Sequence, residues 1–187
     1  IELHLVQTPI SKCLFITSFT KKPLMILKEL RGKTPKFGKN CFFAENAVLV
    51  GDVTMGADCS IWYNAVLRGD VHFIKIGNQV NIQDGAVVHA TYQKYPTTIG
   101  NKVSIGHNAL VHGCTIHDNV LIGMGSIVMD DCVVESNSII AAGAVLTKGT
   151  HVPSGSIFAG VPARKIKDIN QELISGEIER IAENYVK

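Results

Sequence analysis

Residues 116–158 read IHDNVL-IGMGSI-VMDDCV-VESNSI-IAAGAV-LTKGTH-VPSGSI-F when broken every six residues. Position one is always apolar: Ile116, Ile122, Val128, Val134, Ile140, Leu146, Val152 and Phe158. Position five is small or β-branched: Val120, Ser126, Cys132, Ser138, Ala144, Thr150 and Ser156. An amphipathic helix would repeat every 3.6 residues, and a half-buried strand every two. Neither fits. A six-residue unit is a short strand plus a tight turn, and three such units close one triangular coil that cannot bury its apolar face until neighbours stack on it.

The rhythm extends toward the N-terminus. Phe37, Phe43, Leu49, Met55, Ile61 and Leu67 take position one, and Cys41, Ala47, Val53, Cys59, Ala65 and Val71 take position five. After an offset near Phe73 the register resumes at Ile76, Ile82 and Val88. After an insertion around residues 91–98 it resumes at Ile99, Ile105 and Val111, then slips by one before Ile116. About twenty units make six to seven coils, stacked at roughly 4.8 Å. The expected fold is all-β, a parallel β-helix over residues 25–163. A barrel or sandwich would need two-fold alternation and Asn-Gly hairpins, which are absent.

Both ends depart from the pattern. Residues 164–187 change to three- and four-residue steps through Ile166, Ile169, Leu173, Ile178, Ile181 and Tyr185, which predicts a C-terminal α-helix packed on the solenoid and interrupted near Gly176. Residues 1–24 carry no repeat and are expected to be an extension outside the core, with Met25 as the natural start. The short apolar patch Cys13-Leu14-Phe15-Ile16 has the wrong flanks for a signal peptide.

Composition narrows the class. The 187-residue chain has a net charge of +2 and few aromatics, which disfavours nucleic acid as a partner. No apolar run approaches the ~20 residues that span a bilayer. Five cysteines without CxxC spacing argue against a disulfide framework and for a reducing compartment, so a soluble cytoplasmic protein is expected.

The chemistry concentrates in residues 81–112. His89 follows Val88 and His112 follows Val111, so both take position two, one coil apart on one face. At strand spacing their ring nitrogens can approach the roughly 3.3 Å that two zinc–nitrogen bonds in a tetrahedron require. Arg68 extends this column by one coil. His107 takes position three, on another side of the coil. It can join the other two only from a neighbouring copy packed around a three-fold axis, so the spacing predicts a metal site shared between subunits. Three neutral imidazoles with an open fourth position suit catalytic Zn2+, with Fe2+ or Co2+ compatible. His4 and His151 read as solvated, His72 and His117 as neighbours of the column, and Cys114 as a small inward residue rather than a soft ligand.

The segments R-G-D at residues 68–70, N-I-Q-D-G-x-x-x-H at 81–89 and G-H-x-x-x-x-H at 106–112 resemble the gamma-class carbonic anhydrases. The resemblance runs from about Leu30 to the C-terminus and includes A-G-V-P-A at 159–163 and E-N-Y-V at 183–186. It implies a left-handed β-helix and a homotrimer with metal bound by His89 and His112 of one subunit and His107 of the next. It also implies reversible hydration of CO2 to bicarbonate by a metal-bound hydroxide. Gln83 and Asn81 would position water and bicarbonate, Arg68 with Asp70 and Asp84 would form an interfacial ion-pair network, and Tyr185 would lean over the pocket. The loop Thr91-Tyr92-Gln93-Lys94-Tyr95-Pro96 departs from the family pattern, because no carboxylate stands where some members carry an acidic proton shuttle. Two alternatives are an acyl-CoA-dependent hexapeptide acyltransferase, which needs one histidine as general base and no three-histidine cluster, and a metal-binding homologue without hydratase activity.

Overall fold

The computed structural model describes residues 25–185. The expectations for residues 1–24, His4 included, and for Val186 concern positions outside the described residues. The chain winds into a parallel β-solenoid with three faces. The first stacks Val87–His89, Leu110–His112, Ile127–Val128 and Val145–Leu146 on the start of the strand Val66–Ile76. The second stacks Thr97–Ile99, Thr115–Ile116, Val133–Val134 and His151–Val152 on the end of that strand. The third runs through Phe42–Phe43, Ser60–Ile61, Asn81–Ile82, Ser104–Ile105, Val120–Ile122, Ser138–Ile140 and Ser156–Gly160. All these neighbours pair in parallel, as coils wound in one direction must.

Position one forms the core. Leu49, Ile61, Leu67, Ile82, Val88, Ile105, Val111, Ile122, Val128, Ile140, Leu146 and Val152 are wholly buried. Each contributes about 1.5–3 kcal/mol relative to an exposed side chain. Only the first turn is open, where Phe37 remains exposed. Position five is inward as well, half-buried at Cys41 and Thr150 toward the two ends, with one correction. Val71 is only half-buried, and Ile74 takes the core place opposite Val53, because Val66–Ile76 carries extra residues at the corner and the register shifts there. Position four makes the corners. Asn64, Asn108, Asn119, Asp131 and Asn137 all have φ between 56° and 62°, a left-handed conformation that short polar side chains tolerate better than most.

The C-terminal segment needs a larger correction. The helix expected from residue 164 begins at Gln171, capped by the Asn170 side chain, which accepts from the Leu173 N–H at 2.9 Å. Ala163–Asp168 is instead a strand that turns back antiparallel on Ser156–Gly160. The last coil would otherwise present an unpaired strand edge, and this return satisfies it. Ile166, counted toward a helical face, is an exposed strand residue there. Around Gly176 the helix widens into a π-helical stretch, Ile174–Glu179, before Arg180–Asn184. Ile178 and Ala182 are buried, and the π-helical stretch lies against Val120–Ile122 on the third face.

Candidate metal centre

The solenoid register sorts the candidate residues into two groups on different faces. On the first face His89 and His112 are register partners in adjacent parallel strands. Their rings meet nitrogen to nitrogen, with His89 Nδ1 2.9 Å from His112 Nε2. The outer nitrogens meet carboxylates: His89 Nε2 lies 2.9 Å from Asp70 Oδ1, and His112 Nδ1 lies 2.7 Å from Asp130 Oδ1. Arg68 donates to the other oxygen of Asp70, and the Thr91 hydroxyl donates to the other oxygen of Asp130 at 2.8 Å. The column is therefore Asp70–His89–His112–Asp130, with Arg68 attached through Asp70.

Burial alone would push both carboxyls up. Hydrogen bonds from His89 and Arg68 outweigh it at Asp70, and those from His112 and Thr91 outweigh it at Asp130, so both lie below the ordinary carboxylate range. Burial also pushes the His89 imidazole down, against the pull of Asp70, and favours its neutral form.

The second group lies along the third face. Asn81 and Gln83 are buried. Gln83 Nε2 donates to Asn81 Oδ1 at 3.0 Å, and Asn81 Nδ2 donates to Ser104 Oγ at 2.7 Å, a chain that fixes both amides. His107 Nδ1 lies 2.9 Å from Asp84 Oδ2, with both side chains about 40% exposed. Gln83, His107 and Tyr185 line a cavity of about 450 Å³ under the C-terminal helix. Tyr185 rests edge-on against Trp62 at 5.2 Å, and burial followed by the nearby charge of Asp84 raises its phenol pKa.

Thus one chain brings Arg68, Asp70, His89 and His112 together, and separately Asn81, Gln83, His107 and Tyr185. Among the described residues no three His, Cys, Asp or Glu side chains converge on one point that would hold a metal. His72 and His117 stand apart from the column: the Phe73 N–H donates to His72 Nδ1, and His117 faces Glu135, which His151 also approaches. Cys114 is buried in the core, its thiol pushed up by burial. Asp130 was not singled out by the sequence; its one signal is that it stands 18 residues, one coil, after His112.

The donor count tests whether the first group suits a metal ion. Two ionised carboxylates can only accept, so each draws the ring N–H of its histidine outward. The nitrogens left facing each other both carry lone pairs, at 2.9 Å. That arrangement calls for a cation between them. Imidazoles whose far N–H groups are held by carboxylates are the usual donors to zinc and similar ions. The residues fit.

The fold and repeat define a hexapeptide-repeat protein: residues 113–148 match the family model described as bacterial transferase hexapeptide (six repeats). Over 152 residues the chain is 56% identical to the "Probable carbonic anhydrase" of Methanocaldococcus jannaschii, covering 80% of this chain and 92% of that one. It is 42% identical over 158 residues to gamma carbonic anhydrase 1 of Arabidopsis thaliana, covering 82% of this chain and 57% of that protein. Among solved structures, a hexapeptide transferase family protein from Anaplasma phagocytophilum superposes with a TM-score of 0.82 at 44% identity, covering 86% and 94% of the two chains. The chain belongs to the gamma-class carbonic anhydrase family. The Arabidopsis relative is named as mitochondrial, so family membership does not by itself carry the cytoplasmic expectation. No helix among the described residues is long and apolar enough to cross a membrane.

Proposed function

We propose that this chain is a metal-dependent hydratase interconverting CO2 and bicarbonate at sites shared between the subunits of a homotrimer. The observation that carries the reading is the facing ring nitrogens of His89 and His112, 2.9 Å apart on one side of the coil, with His107 beside Gln83 and Tyr185 on another. His89 and His112 of one copy and His107 of the next would hold Zn2+, Fe2+ or Co2+. When bound, such an ion supplies Lewis acidity that lowers the pKa of a coordinated water to around 7.

The chain's own residues do the rest. Asp70 and Asp130 hold the histidine tautomers so that both donor nitrogens point inward. Gln83, already tied to Asn81 and carrying no titratable proton, orients water and bicarbonate in the cavity without competing for charge. Arg68 neutralises Asp70 and ties it to the shared face. Tyr185, packed edge-on against Trp62, lines the cavity wall. The loop at residues 91–96 offers no carboxylate, so proton release to solvent relies on buffer or water and limits turnover.

The test is stopped-flow CO2 hydration by protein loaded anaerobically with Zn2+ or Fe2+, beside His107→Ala. Wild-type activity above buffer that is lost in the variant supports the reading, and equal rates would sink it. The transferase description of the matched repeats favours one rival, acyl transfer from an acyl-CoA with a single histidine as base. Metal-independent turnover of acetyl-CoA would establish that rival instead.

A further inference from the structure

We propose that Asp130 is the positioning residue for His112, and that Thr91, the first residue of the extruded loop, locks Asp130 in place so that the loop governs metal affinity. The inference rests on the reading that His112 holds a divalent metal.

Three observations converge on Asp130. Its Oδ1 lies 2.7 Å from His112 Nδ1, the shortest of the three contacts that make up the column. Its Oδ2 accepts the Thr91 hydroxyl at 2.8 Å, across 39 residues of sequence. Both carboxylate oxygens are thereby engaged, which fixes the plane of the group and so the plane of the imidazole. The third observation is Gly113. A Cβ on that residue would stand 2.3 Å from Asp130 Oδ1 and 2.9 Å from Tyr95 Cβ. Only a residue without a side chain lets the carboxylate reach back one coil to the histidine, and Gly113 also takes the left-handed φ of 56°.

The physical consequence follows from the tautomer. Neutral imidazole carries one N–H, and a carboxylate at Nδ1 draws it there, leaving Nε2 as the lone-pair donor beside His89. Without Asp130, His112 keeps only its contact with the His89 ring, which does not hold that tautomer or ring plane. The ligand would be present but misoriented for part of the time, and more weakly basic. Asp70 does the same for His89 and is itself held by Arg68. The loop was expected to matter for what it lacks, an acidic shuttle; through Thr91 it supplies a brace instead.

The experiment measures Zn2+ affinity by competition with a chromophoric chelator, and the visible spectrum of the Co2+-substituted protein. Wild type, Asp130→Asn, Thr91→Val and the double variant are compared, and thermal unfolding of the metal-free proteins checks that each is folded. Asp130→Asn should bind Zn2+ about 10- to 100-fold more weakly and alter the Co2+ spectrum, while the metal-free variant still unfolds cooperatively. Thr91→Val should weaken binding by a smaller factor and add nothing in the Asp130→Asn background, because it acts through the same carboxylate. Unchanged affinity and spectrum in Asp130→Asn would overturn the role of Asp130 while leaving the metal site intact. Additive losses in the double variant would overturn the role of the loop. No stoichiometric Zn2+ in the wild type would overturn the metal site, and this inference with it.

Discussion

His89 Nδ1 and His112 Nε2 face each other at 2.9 Å, each ring backed by a carboxylate on its far side. Two features of the sequence build this pair. The six-residue register places the rings one coil apart in adjacent parallel strands, and the carboxylates one coil further on either side fix which nitrogens point inward. The result is a two-point donor set, preorganised by backbone stacking rather than by loop conformation. Within one chain His107 stands apart from it, on another face beside Asp84.

The pair makes the metal-free protein sensitive to acid in two steps. His89 is held below its ordinary value of 6.5 in the folded state. The stability tied to its neutral form is full above pH 6.5 and falls as pH drops from there through the lowered folded value. Asp70 and Asp130 are held below 3.8, so their contribution is present above that pH and fades as pH drops through their lowered values. Thermal unfolding followed from pH 8 to 3 should show both losses. His89→Gln should remove the upper one, and a wild-type curve flat from pH 6.5 to 4 would contradict the assignment.

The solenoid was legible because the hexapeptide is a local rule repeated many times: Ile116 through Phe158 keep position one without a break, so one misplaced residue cannot mislead. The histidine column was legible for the same reason. The parts that were not legible depend on non-local geometry. The spacing of Asp130, one coil after His112, is a weak signal by itself; its role appears only when Gly113 lets it approach His112. Residues 164–168 read as helix because Ile166 and Ile169 fit a three-residue step. The open edge of Ser156–Gly160, which recruits them as a strand, is a tertiary feature. Ile74 replaced Val71 in the core because extra residues at a corner shift the phase by an amount the repeat cannot specify.

Stacked coils leave no room at certain glycines, and Gly123 is one of them. A Cβ there would lie 2.5 Å from the Ala142 nitrogen and 2.6 Å from the Ala141 carbonyl carbon, both backbone atoms of the next coil. Neither can move without parting the strands. Gly123→Ala should cost about 1–3 kcal/mol or more in urea unfolding, in the range of overpacked cores. Gly125→Ala meets nothing within 4 Å and carries only its positive φ, so its cost should be smaller. The reverse order would contradict the coil spacing.

The thiols offer an independent check on the inward positions. Burial pushes Cys59 up to about 12 and raises Cys114 and Cys132 as well. Thiolate is the reactive form. In native protein at pH 8 these three should react with a disulfide reagent far more slowly than partly exposed Cys41, and all should react quickly in urea. Rapid native labelling of Cys114, mapped by peptide mass spectrometry, would show that the coil interior is not closed as the solenoid requires.

The division of the histidines between faces makes the most specific prediction, complementation. If each site takes His89 and His112 from one subunit and His107 from its neighbour, His107→Ala and His112→Ala homotrimers each lack a ligand at every site. In a mixed trimer one interface joins the intact His107 of one parent to the intact His89 and His112 of the other. Random reassembly of equal amounts from denaturant makes three-quarters of trimers mixed, each with one complete site in three, so about a quarter of all sites should regain Zn2+ affinity and activity. Mixing without unfolding should restore nothing until subunits exchange. A site built within one chain would show no recovery under either protocol, and that outcome would remove the shared-site reading however well the isolated variants behaved.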